Sequence, residues 1–474
     1  MDHAPILYWF RRDLRLADHP GLSAALATGR PVIPVVILDP ETEGLGTAPK
    51  WRWGRGLEVF DAALEALGAR LILRRGPALE VLVDLAAETG AQAVHWSRAY
   101  DPTSIARDTA VKAGLKAQRV NAQSHAGALL FEPWEVQTGT GGYYRVFTPM
   151  WRAVAGREIA APAAPPNKWP APEVWPASDA LAAWRLGDAM RRGAEIIARH
   201  VPVGEAAASA RLDTFLNAGI DRYKIARDLP GEDGTSAMSA HLSLGEIGPR
   251  TLWHAAKHAE ALGSVGAGAF ARQLIWREFA YHLLYHTPHI VEANWRPEWD
   301  AFPWSEDAGH PHVRAWQQGR TGVRFVDAAM RQMYVTGTIH NRGRMNVASY
   351  LTKHLMTHWR IGLRWFEDCL VDWDPACNAL GWQWAAGSGP DAAPYFRVFN
   401  PDTQLAKFDP SGAYARAWIA EGAARPSDTA LSYFDAIPRS WALRPSDPYP
   451  APVVSLSDGR KRALDAYAAR KPSA

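Results

Sequence analysis

Cysteine is almost absent from this sequence. Its 474 residues include 2 cysteines, Cys369 and Cys377, too few for a disulfide framework, for the four thiolates of an iron–sulfur cluster or for a closed zinc site. A run of about 18 apolar residues, long enough to span a membrane, is missing as well. The N-terminal stretch MDHAPILYWFRRDLRL reaches its arginines before a secretory signal could form. These absences predict a cytoplasmic protein without a membrane partner.

An excess of charge of one sign is also lacking, since the formal net charge is +3. This value neither requires nor excludes a nucleic-acid partner, because a basic surface can exist within a near-neutral total. The length exceeds that at which one hydrophobic core usually stops growing, which predicts two or more domains. Tryptophan is the residue in excess: the chain has 22 of them, far more than packing normally requires.

Short apolar runs alternate with helical patterns in the first third of the chain. The runs are ILYWF (6–10), PVIPVVILD (31–39), RLILRR (70–75) and AVHWS (93–97), separated by segments such as GLEVFDAALEALG. This alternation predicts a doubly wound α/β domain with a parallel sheet, which we place at residues 1–135. No Gly-x-Gly-x-x-Gly motif follows the first run, so the pattern names no ligand for this domain.

The segment after this domain is rich in proline and alanine. Residues 155–178 cannot hold a regular ladder and indicate a connector across the surface, within a boundary region at 136–200. Downstream, the stretches 265–289, 322–337 and 346–370 carry apolar residues at spacings of three and four, the helical pattern. We therefore predict an all-α domain at residues 201–474.

Two polar segments of the second domain could carry chemistry. In DGTSAMSAHLSLGEIGPR (233–250), hydroxyls and glycines could hold a phosphate at a helix start, or the segment could be an ordinary capped helix. In IHNRGRMNVASY (339–350), helical spacing places Asn341 and Met345 on one face, and the alternative is a solvated basic face. Arg344 of this segment could pair with Asp372, because buried charges need partners.

Tryptophans and histidines of the same region allow further alternatives. Trp359, Trp365, Trp373, Trp382 and Trp384 crowd one part of the sequence. They could form an ordinary core, stack on nucleic-acid bases, or transfer electrons, since indole is readily oxidised. His282 and His286 lie four apart, as zinc ligands often do, but neither the adjacent glutamate of the zinc-protease motif nor a third ligand is evident. We expect no metal site.

Several long motifs extend through the chain: LYWFRRDLRLADHPGL, VFTPMWR, TSAMSAHLSLGEI, LIWREFAYHL, GRTGVRFVDAAMRQMYVTGTIHNRGRM, GWQWAAGSGPDAAPYFRVFNP and NPDTQLAKFD. In these motifs the sequence resembles the photolyase/cryptochrome flavoprotein family over nearly its whole length. It is most similar to the microbial enzymes that repair cyclobutane pyrimidine dimers. The resemblance implies FAD in the helical domain, UV-damaged DNA as the partner, a flipped-out lesion and a light-driven electron transfer. We expect a monomer.

The resemblance also assigns roles to individual residues. The residues implied to bind FAD are Tyr223, Thr235, Ser236, Ala237, Met238, Ser239, Phe270, Arg344, Asp372, Trp373, Asp374 and Asn378. Among them, Asn378 would face N5 of the flavin and Arg344 would pair with Asp372 beside the flavin ring. The residues implied to act in catalysis are Trp382, Trp359, Trp304, Gln273, Asn378 and Asn341, of which the three tryptophans would relay electrons from the surface.

The lesion and the surrounding DNA would be contacted by a further set. It consists of Arg227, Gln273, Trp276, Arg277, Asn341, Arg342, Met345, Trp384 and Gln404. Trp276 and Trp384 would stack on the lesion, and Arg227, Arg342 and Gln404 match positions that contact DNA, where cations hold phosphates.

One position departs from the pattern of cyclobutane-dimer enzymes. They usually carry a glutamate where this chain has Gln273, and glutamine is usual in (6-4) photolyases and animal-type cryptochromes. Those (6-4) enzymes typically present two histidines where this chain has Asn341 and Met345, so the protonating acid is missing. Cyclobutane dimers are thus the predicted substrate, with a (6-4) photolyase or a blue-light receptor as alternatives.

The resemblance leaves a second chromophore open. The polar pair by which some relatives hold a folate falls on Thr103 and Ser104, which do not match that pattern. An antenna, either methenyltetrahydrofolate at another position or a deazaflavin, is therefore an open alternative.

Overall fold

Five strands form the centre of the N-terminal domain in the computed structural model, which describes residues 4–391 and 396–470. They are β1 (Ile6–Phe10), β2 (Val32–Leu38), β3 (Ile72–Arg75), β4 (Ala93–Ser97) and β5 (Asn121–His125). Strands β1, β2 and β4 are buried along their whole length. Continuous apolar strands of this kind need a cover on both faces.

The sheet is parallel throughout and has the strand order β3-β2-β1-β4-β5. Along β1, Tyr8 and Phe10 pack into the core on one face, while Leu7 and Trp9 pack into the core on the other. The covering helices are α1 (Pro20–Leu26), α2 (Pro40–Glu43), α3 (Thr47–Glu65), α4 (Ala78–Thr89) and α5 (Pro102–Ala117). The predicted doubly wound α/β fold is confirmed.

Strand β5 was not foreseen from the sequence. Its residues are NAQSH, and none of them is fully buried. An edge strand packs on one neighbour only, so it can be polar, and apolar runs cannot reveal it. Its pairing with β4, from Ala93 opposite Asn121 to Ser97 opposite His125, completes the sheet.

The remainder of the described chain is helical. Its helices are α6 (Phe147–Val154), α7 (Gly193–Ala198), α8 (Glu205–Thr214), α9 (Tyr223–Ala226), α10 (Ser239–Ser243), α11 (Pro249–Ala261), α12 (Ala267–His286), α13 (Pro311–Gln317), α14 (Arg324–Thr336), α15 (Asn341–Ser349), α16 (Trp359–Cys369), α17 (Pro375–Ala386), α18 (Pro401–Phe408), α19 (Ala413–Trp418), α20 (Asp428–Ala436) and α21 (Leu456–Ala469). The all-α second domain agrees with the predicted class.

The helical pattern at 346–370 covers two helices rather than one. Helix α15 ends in a wider turn at Tyr350–His354, and α16 begins at Trp359. Between them Met356 takes a left-handed backbone conformation with φ of 51°, which an α-helix cannot contain. The side chain of His358 then accepts the N–H of Arg360 and caps α16. The apolar spacing continues across this break, so spacing alone did not detect it.

The proline-rich connector does more than cross the surface. Residues 155–180 contain no helix or strand, as proline-rich sequence dictates. However, Trp169 is buried in the core beneath the sheet, and its indole N–H donates to the carbonyl of Val32 at 2.8 Å. The connector is therefore fastened to the N-terminal domain.

Buried charges join the two domains. The guanidinium of Arg52, on α3, donates two hydrogen bonds of 2.7 Å to the carboxylate of Glu246, and both side chains are 0% exposed. His241, at 2.5 Å from Glu246, is the third member of this cluster. Arg12 donates to the carbonyls of Ser243 and Trp373 at 2.8 and 2.7 Å. These contacts position α10 and the start of α17 against the sheet.

Candidate active site

The predicted pairing of Arg344 with Asp372 is confirmed. The Arg344 guanidinium, on α15, donates to both carboxylate oxygens of Asp372 at 2.9 and 2.7 Å, and it also donates to the carbonyl of Ile339. The Asp372 side chain is only 3% exposed. Because an unpaired carboxylate at this depth would be costly, the pair keeps a charged guanidinium at the base of α17.

Asp374 has a different role from Asp372. One of its oxygens accepts the N–H of Cys377 and caps α17, and the other accepts the hydroxyl of Tyr281 at 2.6 Å. Burial, together with the charge of Asp374, raises the pKa of Tyr281 well above its usual value, so the phenol stays protonated and donates. The predicted cofactor residue Asp374 thus orients the helix that carries Asn378.

Helix α17 borders an internal space. Cys377 and Gly381, one turn apart on the same face, are both exposed. Yet burial raises the pKa of the Cys377 thiol well above its usual value, and a Cβ added to Gly381 would meet no heavy atom within 4 Å. A helix face that is enclosed by protein but touches nothing lines a cavity. Asn378 lies on this face, and its amide donates to the carbonyl of Leu363 at 3.1 Å.

The turn Thr235–Ser239 is held by an arginine that the sequence did not single out. Arg211, on α8, donates to the carboxylate of Asp233 and to the carbonyls of Thr235 and Ser236. Because N–H and C=O of a trans peptide point in opposite directions, the N–H groups of Ser236 and Ala237 point away from Arg211. Nothing in the local sequence around Arg211 distinguishes it from a surface arginine.

This turn has the geometry of an anion-binding nest. Ala237 has φ of 54°, a left-handed conformation that turns successive backbone N–H groups towards one point. Within the described residues, no backbone hydrogen bond is donated by Ser236 or Ala237. Met238 is buried, while Ala237 and Ser239 are exposed. The helix that follows begins only at Ser239, so the predicted phosphate site rests on the turn rather than on a long helix.

The nest and α17 lie against the same core. Tyr223, Met238 and Phe270 pack in one cluster with Ala376 and Ala379 of α17. The rings of Tyr223 and Phe270 meet edge to face at 5.7 Å. These residues therefore form the wall between the nest and the helix, although they come from separate parts of the chain.

The residues that surround this cavity fit FAD. The nest offers free backbone donors to a pyrophosphate, and the open face of α17 leaves room for a flat ring system, which any side chain larger than glycine at position 381 would reduce. Arg344 supplies a guanidinium group whose position is fixed by its hydrogen bonds to Asp372. The fold and this cavity together define a two-domain FAD protein.

The proposed lesion-stacking tryptophans, Trp276 and Trp384, are brought together by two other residues. Trp276, on α12, stacks face to face on Phe147 with ring centres 3.7 Å apart. The carboxylate of Asp391 accepts the backbone N–H of Phe147, and its carbonyl accepts the indole N–H of Trp384 at 3.2 Å. Both indoles are half-buried. Phe147 thus covers one face of Trp276.

Asn341 and Met345 lie on one helix face, as expected, since the amide of Asn341 contacts the Met345 sulfur at 3.7 Å. Asn341 is exposed, and Gln273, on α12, is half-buried. The neighbouring His340 caps α15 by accepting the N–H of Arg342. Burial lowers the pKa of His340 to about 4, so this imidazole is neutral near pH 7.

Two of the arginines predicted to contact DNA have partners within the protein. Arg277 was expected at the DNA, but it donates to the carbonyl of Ala128 at 2.9 Å and lines a cavity between the domains. Arg342 forms two hydrogen bonds, of 3.1 and 2.8 Å, with the carboxylate of Asp228. Its charge is thereby largely neutralised. Arg227 lies beside the same carboxylate at 3.9 Å, and Gln404 is half-buried on α18.

The three tryptophans expected to relay electrons lie in one hydrophobic cluster. Trp382 is buried against Phe366, with ring centres 4.9 Å apart. The indole of Trp359 donates to Asn294 at 2.8 Å, and the ring of His358 lies 5.4 Å from both Trp359 and Trp304. Burial lowers the pKa of His358 to about 4. Trp304 is 8% exposed.

A second cavity, of about 310 Å³, lies between the two domains. It opens at the carboxyl ends of β1, β2 and β4, the usual ligand edge of an open parallel sheet. Arg11, Arg98 and Arg107 line it together with Thr103 and Ser104. Each of these arginines is paired with a carboxylate of the protein: Arg11 with Asp108, Arg98 with Glu132, and Arg107 with both Asp39 and Asp108. The antenna stays a prediction, and this cavity offers a place for one.

Comparison with known proteins agrees with this description. The family model for DNA photolyase matches residues 6–171, and the model for the FAD binding domain of DNA photolyase matches residues 270–469. The chain belongs to the DNA photolyase family. It is accordingly a DNA repair enzyme of the deoxyribodipyrimidine photo-lyase type, with FAD as its cofactor and UV-damaged DNA as its substrate.

Relatives cover almost the entire chain. The deoxyribodipyrimidine photo-lyase of Agrobacterium fabrum is 44% identical over 99% of this chain and 98% of its own length. Cryptochrome-1 of Arabidopsis thaliana is 32% identical over 97% of this chain and 70% of its own length. The crystal structure of a bacterial class III photolyase from Agrobacterium tumefaciens has a TM-score of 0.91, is 42% identical, and covers 100% of this chain and 99% of its own.

No helix within residues 4–391 and 396–470 combines the length and apolar character needed to cross a bilayer.

Proposed function

We propose that this enzyme splits cyclobutane pyrimidine dimers in DNA by a light-driven electron transfer to a flipped-out lesion. Reduced FAD, when bound, supplies under light the electron that opens the cyclobutane ring and afterwards takes it back. The protein contributes the pocket, the charges and the electron supply. The observation that carries the choice of lesion is the absence of an acid among Gln273, Asn341 and Met345 and the neutral state of His340.

The cofactor would be held from two directions. The N–H groups of Ser236 and Ala237 would bind its pyrophosphate, with Arg211 fixing the turn through hydrogen bonds to its carbonyls. On the opposite side, Asn378 and the open face at Gly381 would line the ring system. Arg344, held in place by Asp372, would offer a guanidinium hydrogen-bond donor beside the ring system.

The lesion would enter between two indoles. Trp276 and Trp384 offer flat apolar surfaces for an extruded pair of bases, and stacking of this kind is worth about 1–3 kcal/mol per base. Gln273 would donate an amide hydrogen to a thymine carbonyl. Splitting of a cyclobutane ring needs no net proton transfer. The neutral side chains of Gln273, Asn341 and Met345, which we call the rim of the lesion pocket, are therefore sufficient.

A (6-4) lesion would require different chemistry from the residues of this rim. Its repair requires a proton donor, as the family resemblance implies, and the imidazole that precedes Asn341 in the sequence, His340, is not suited to that role. His340 accepts the N–H of Arg342 through Nδ1, and burial lowers its pKa to about 4. The rim therefore favours cyclobutane dimers over (6-4) photoproducts.

The decisive experiment offers both lesions to one sample. Oligonucleotides carrying a single cyclobutane dimer or a single (6-4) photoproduct are illuminated with the reduced, FAD-loaded enzyme, and intact pyrimidines are quantified by chromatography. We expect repair of the cyclobutane dimer only. Repair of the (6-4) lesion alone, or of neither lesion while FAD is bound and reduced, would contradict the proposal; in the latter case a receptor role becomes the better explanation.

A substitution at Gln273 sharpens this assay. Gln273→Glu is expected to leave dimer repair unchanged or improved, because a carboxylate adds an acceptor that can stabilise developing positive charge. Gln317→Glu, the same chemical change on α13, is the matched control and should leave repair unchanged. A large loss of repair in Gln273→Glu alone would refute the assigned role of the amide.

A further inference from the structure

Asp391 connects the two parts of the chain that carry the proposed lesion-stacking tryptophans. Its main-chain carbonyl accepts the indole N–H of Trp384 at 3.2 Å, and its carboxylate accepts the backbone N–H of Phe147. Phe147 in turn stacks on Trp276, with ring centres 3.7 Å apart and planes 4° from parallel. One residue is therefore linked to both indoles, to Trp384 directly and to Trp276 through a single ring.

The N-terminus of α6 depends on Asp391 for its cap. The helix begins at Phe147, and the residue before it, Val146, makes no side-chain hydrogen bond to the helix. A carboxylate is favourable at this end, because the first N–H groups of a helix have no partner within it and lie at the positive end of the helix dipole. Asp391 supplies that carboxylate from a distant part of the chain. Its hydrogen bond thus holds in place the residue that covers Trp276.

The loop from the end of α17 to Asp391 is itself fixed, through Gln383. The Gln383 side chain is 0% exposed, and its main-chain carbonyl accepts the N–H groups of Gly387 and Gly389 at 2.9 and 3.0 Å. A Cβ at Gly389 would lie 2.8 Å from the main-chain carbonyl carbon of Gln383, so the close approach requires glycine. Asp391 has φ of 53°, a left-handed conformation that aspartate, asparagine and glycine adopt most readily. The loop therefore determines where the Asp391 carboxylate lies.

We propose that Asp391 is a positioning residue for damaged DNA, which sets the separation and orientation of Trp276 and Trp384 and thereby the affinity for the flipped-out lesion. This inference rests on the proposed function, in which the lesion stacks on these two indoles. A pocket whose walls are held in place before binding loses less conformational freedom when its ligand enters. Removal of the Asp391 carboxylate should therefore weaken lesion binding and leave the contacts to FAD and to the DNA backbone unchanged.

The test measures the binding of damaged and undamaged DNA separately. Full-length, FAD-loaded protein is titrated in the dark with a fluorescent oligonucleotide that carries one cyclobutane dimer, and with the same oligonucleotide without the dimer. Asp391→Gly removes the carboxylate, permits the left-handed backbone and keeps the carbonyl that accepts the Trp384 N–H. We expect its Kd for the dimer to rise about tenfold, equivalent to about 1.4 kcal/mol and thus within the worth of one base–aromatic stack. Its Kd for undamaged DNA should not change, and under light the loss should appear in KM rather than in kcat.

Two further variants serve as controls. Asp391→Asn keeps a hydrogen-bond acceptor and tolerates the left-handed conformation, so it should recover most of the lost affinity for the dimer. Ala442→Gly makes a change to glycine at another left-handed position, an exposed residue with φ of 54°. It should bind both oligonucleotides as the wild type does.

The outcomes separate this inference from the proposed function. Trp276→Ala and Trp384→Ala should each weaken binding of the dimer, and if neither does, the proposed stacking of the lesion fails. If they do while Asp391→Gly binds the dimer as tightly as the wild type, only the role of Asp391 is overturned. Equal losses in Asp391→Gly and Asp391→Asn would also refute that role, because the hydrogen-bond acceptor would then not matter. A loss of affinity for undamaged DNA as large as that for the dimer would refute it as well, since the effect would then lie outside the lesion pocket.

Discussion

Gly381 offers the most direct test of the cavity along α17. A Cβ built at this position meets no heavy atom within 4 Å, whereas a Cβ at Gly362, on the neighbouring helix α16, would lie 2.0 Å from the Trp382 ring. Both glycines are inside helices. Replacement by alanine therefore gains the same helix propensity, about 1 kcal/mol, at either site. The two positions differ only in the space that receives the methyl group.

The expected magnitudes follow from this difference. Gly381→Ala should raise the free energy of unfolding of FAD-free protein by about 1 kcal/mol, because no clash offsets the propensity gain. Gly362→Ala should instead lower it by about 1–3 kcal/mol through overpacking against Trp382. Gly381→Leu places four carbons in the space assigned to FAD. An overpacking cost of about 1–3 kcal/mol on binding corresponds to about 5- to 150-fold weaker FAD affinity.

Two measurements separate these effects. Urea unfolding of FAD-free protein gives the stability of each variant, and titration with FAD, followed by the change in flavin fluorescence, gives its affinity. The expected result is a Gly381→Leu variant that is stable without FAD but binds it weakly. Wild-type affinity in Gly381→Leu would show that the open face of α17 is not where FAD binds, and would refute the site described above.

Three further outcomes are expected. Arg52→Met should lower the free energy of unfolding by about 3–5 kcal/mol in urea, because the buried Glu246 carboxylate loses its guanidinium partner and keeps only His241 beside it, and adding Glu246→Leu should recover part of that loss. Arg344→Ala should cost about 1–3 kcal/mol by removing both hydrogen bonds to Asp372; an unchanged urea midpoint would exclude a buried pair. Burial lowers the pKa of His282 from 6.5 to about 4, so the unfolded chain takes up this proton first and stability should fall as the pH drops from 6.5 to 4, by up to about 3 kcal/mol. His282→Gln should reduce that slope, and an identical pH profile would count against the assignment.

Some strands and helices of this fold could be predicted from the sequence, and others could not. The buried strands β1, β2 and β4 were found because an apolar run is a local signal. Strand β5 was missed because an edge strand can be polar. The pattern at 346–370 could not locate the break at Met356, since the apolar spacing resumes in α16.

Some contacts in the candidate site could likewise be predicted from the sequence, and others could not. Pairing of Arg344 with Asp372 followed from the need of buried charges for partners, and the structure confirms it. The hydrogen bond of Arg277 to the carbonyl of Ala128 was not predicted, because Ala128 belongs to the other domain. Arg211, which fixes the nest, carries no motif, so only its hydrogen bonds identify it.

The sequence by itself determined the fold class, the family and the chemical groups available, since periodicity and motifs depend on residues that are close together in the sequence. Only the tertiary structure decided which groups face which cavity and how deeply each tryptophan is buried. Trp304 is buried within a cluster that Tyr467 and α21 help to cover, and that helix comes much later in the chain. Burial and electrostatic environment are sums over contacts distant in sequence, so no local pattern contains them.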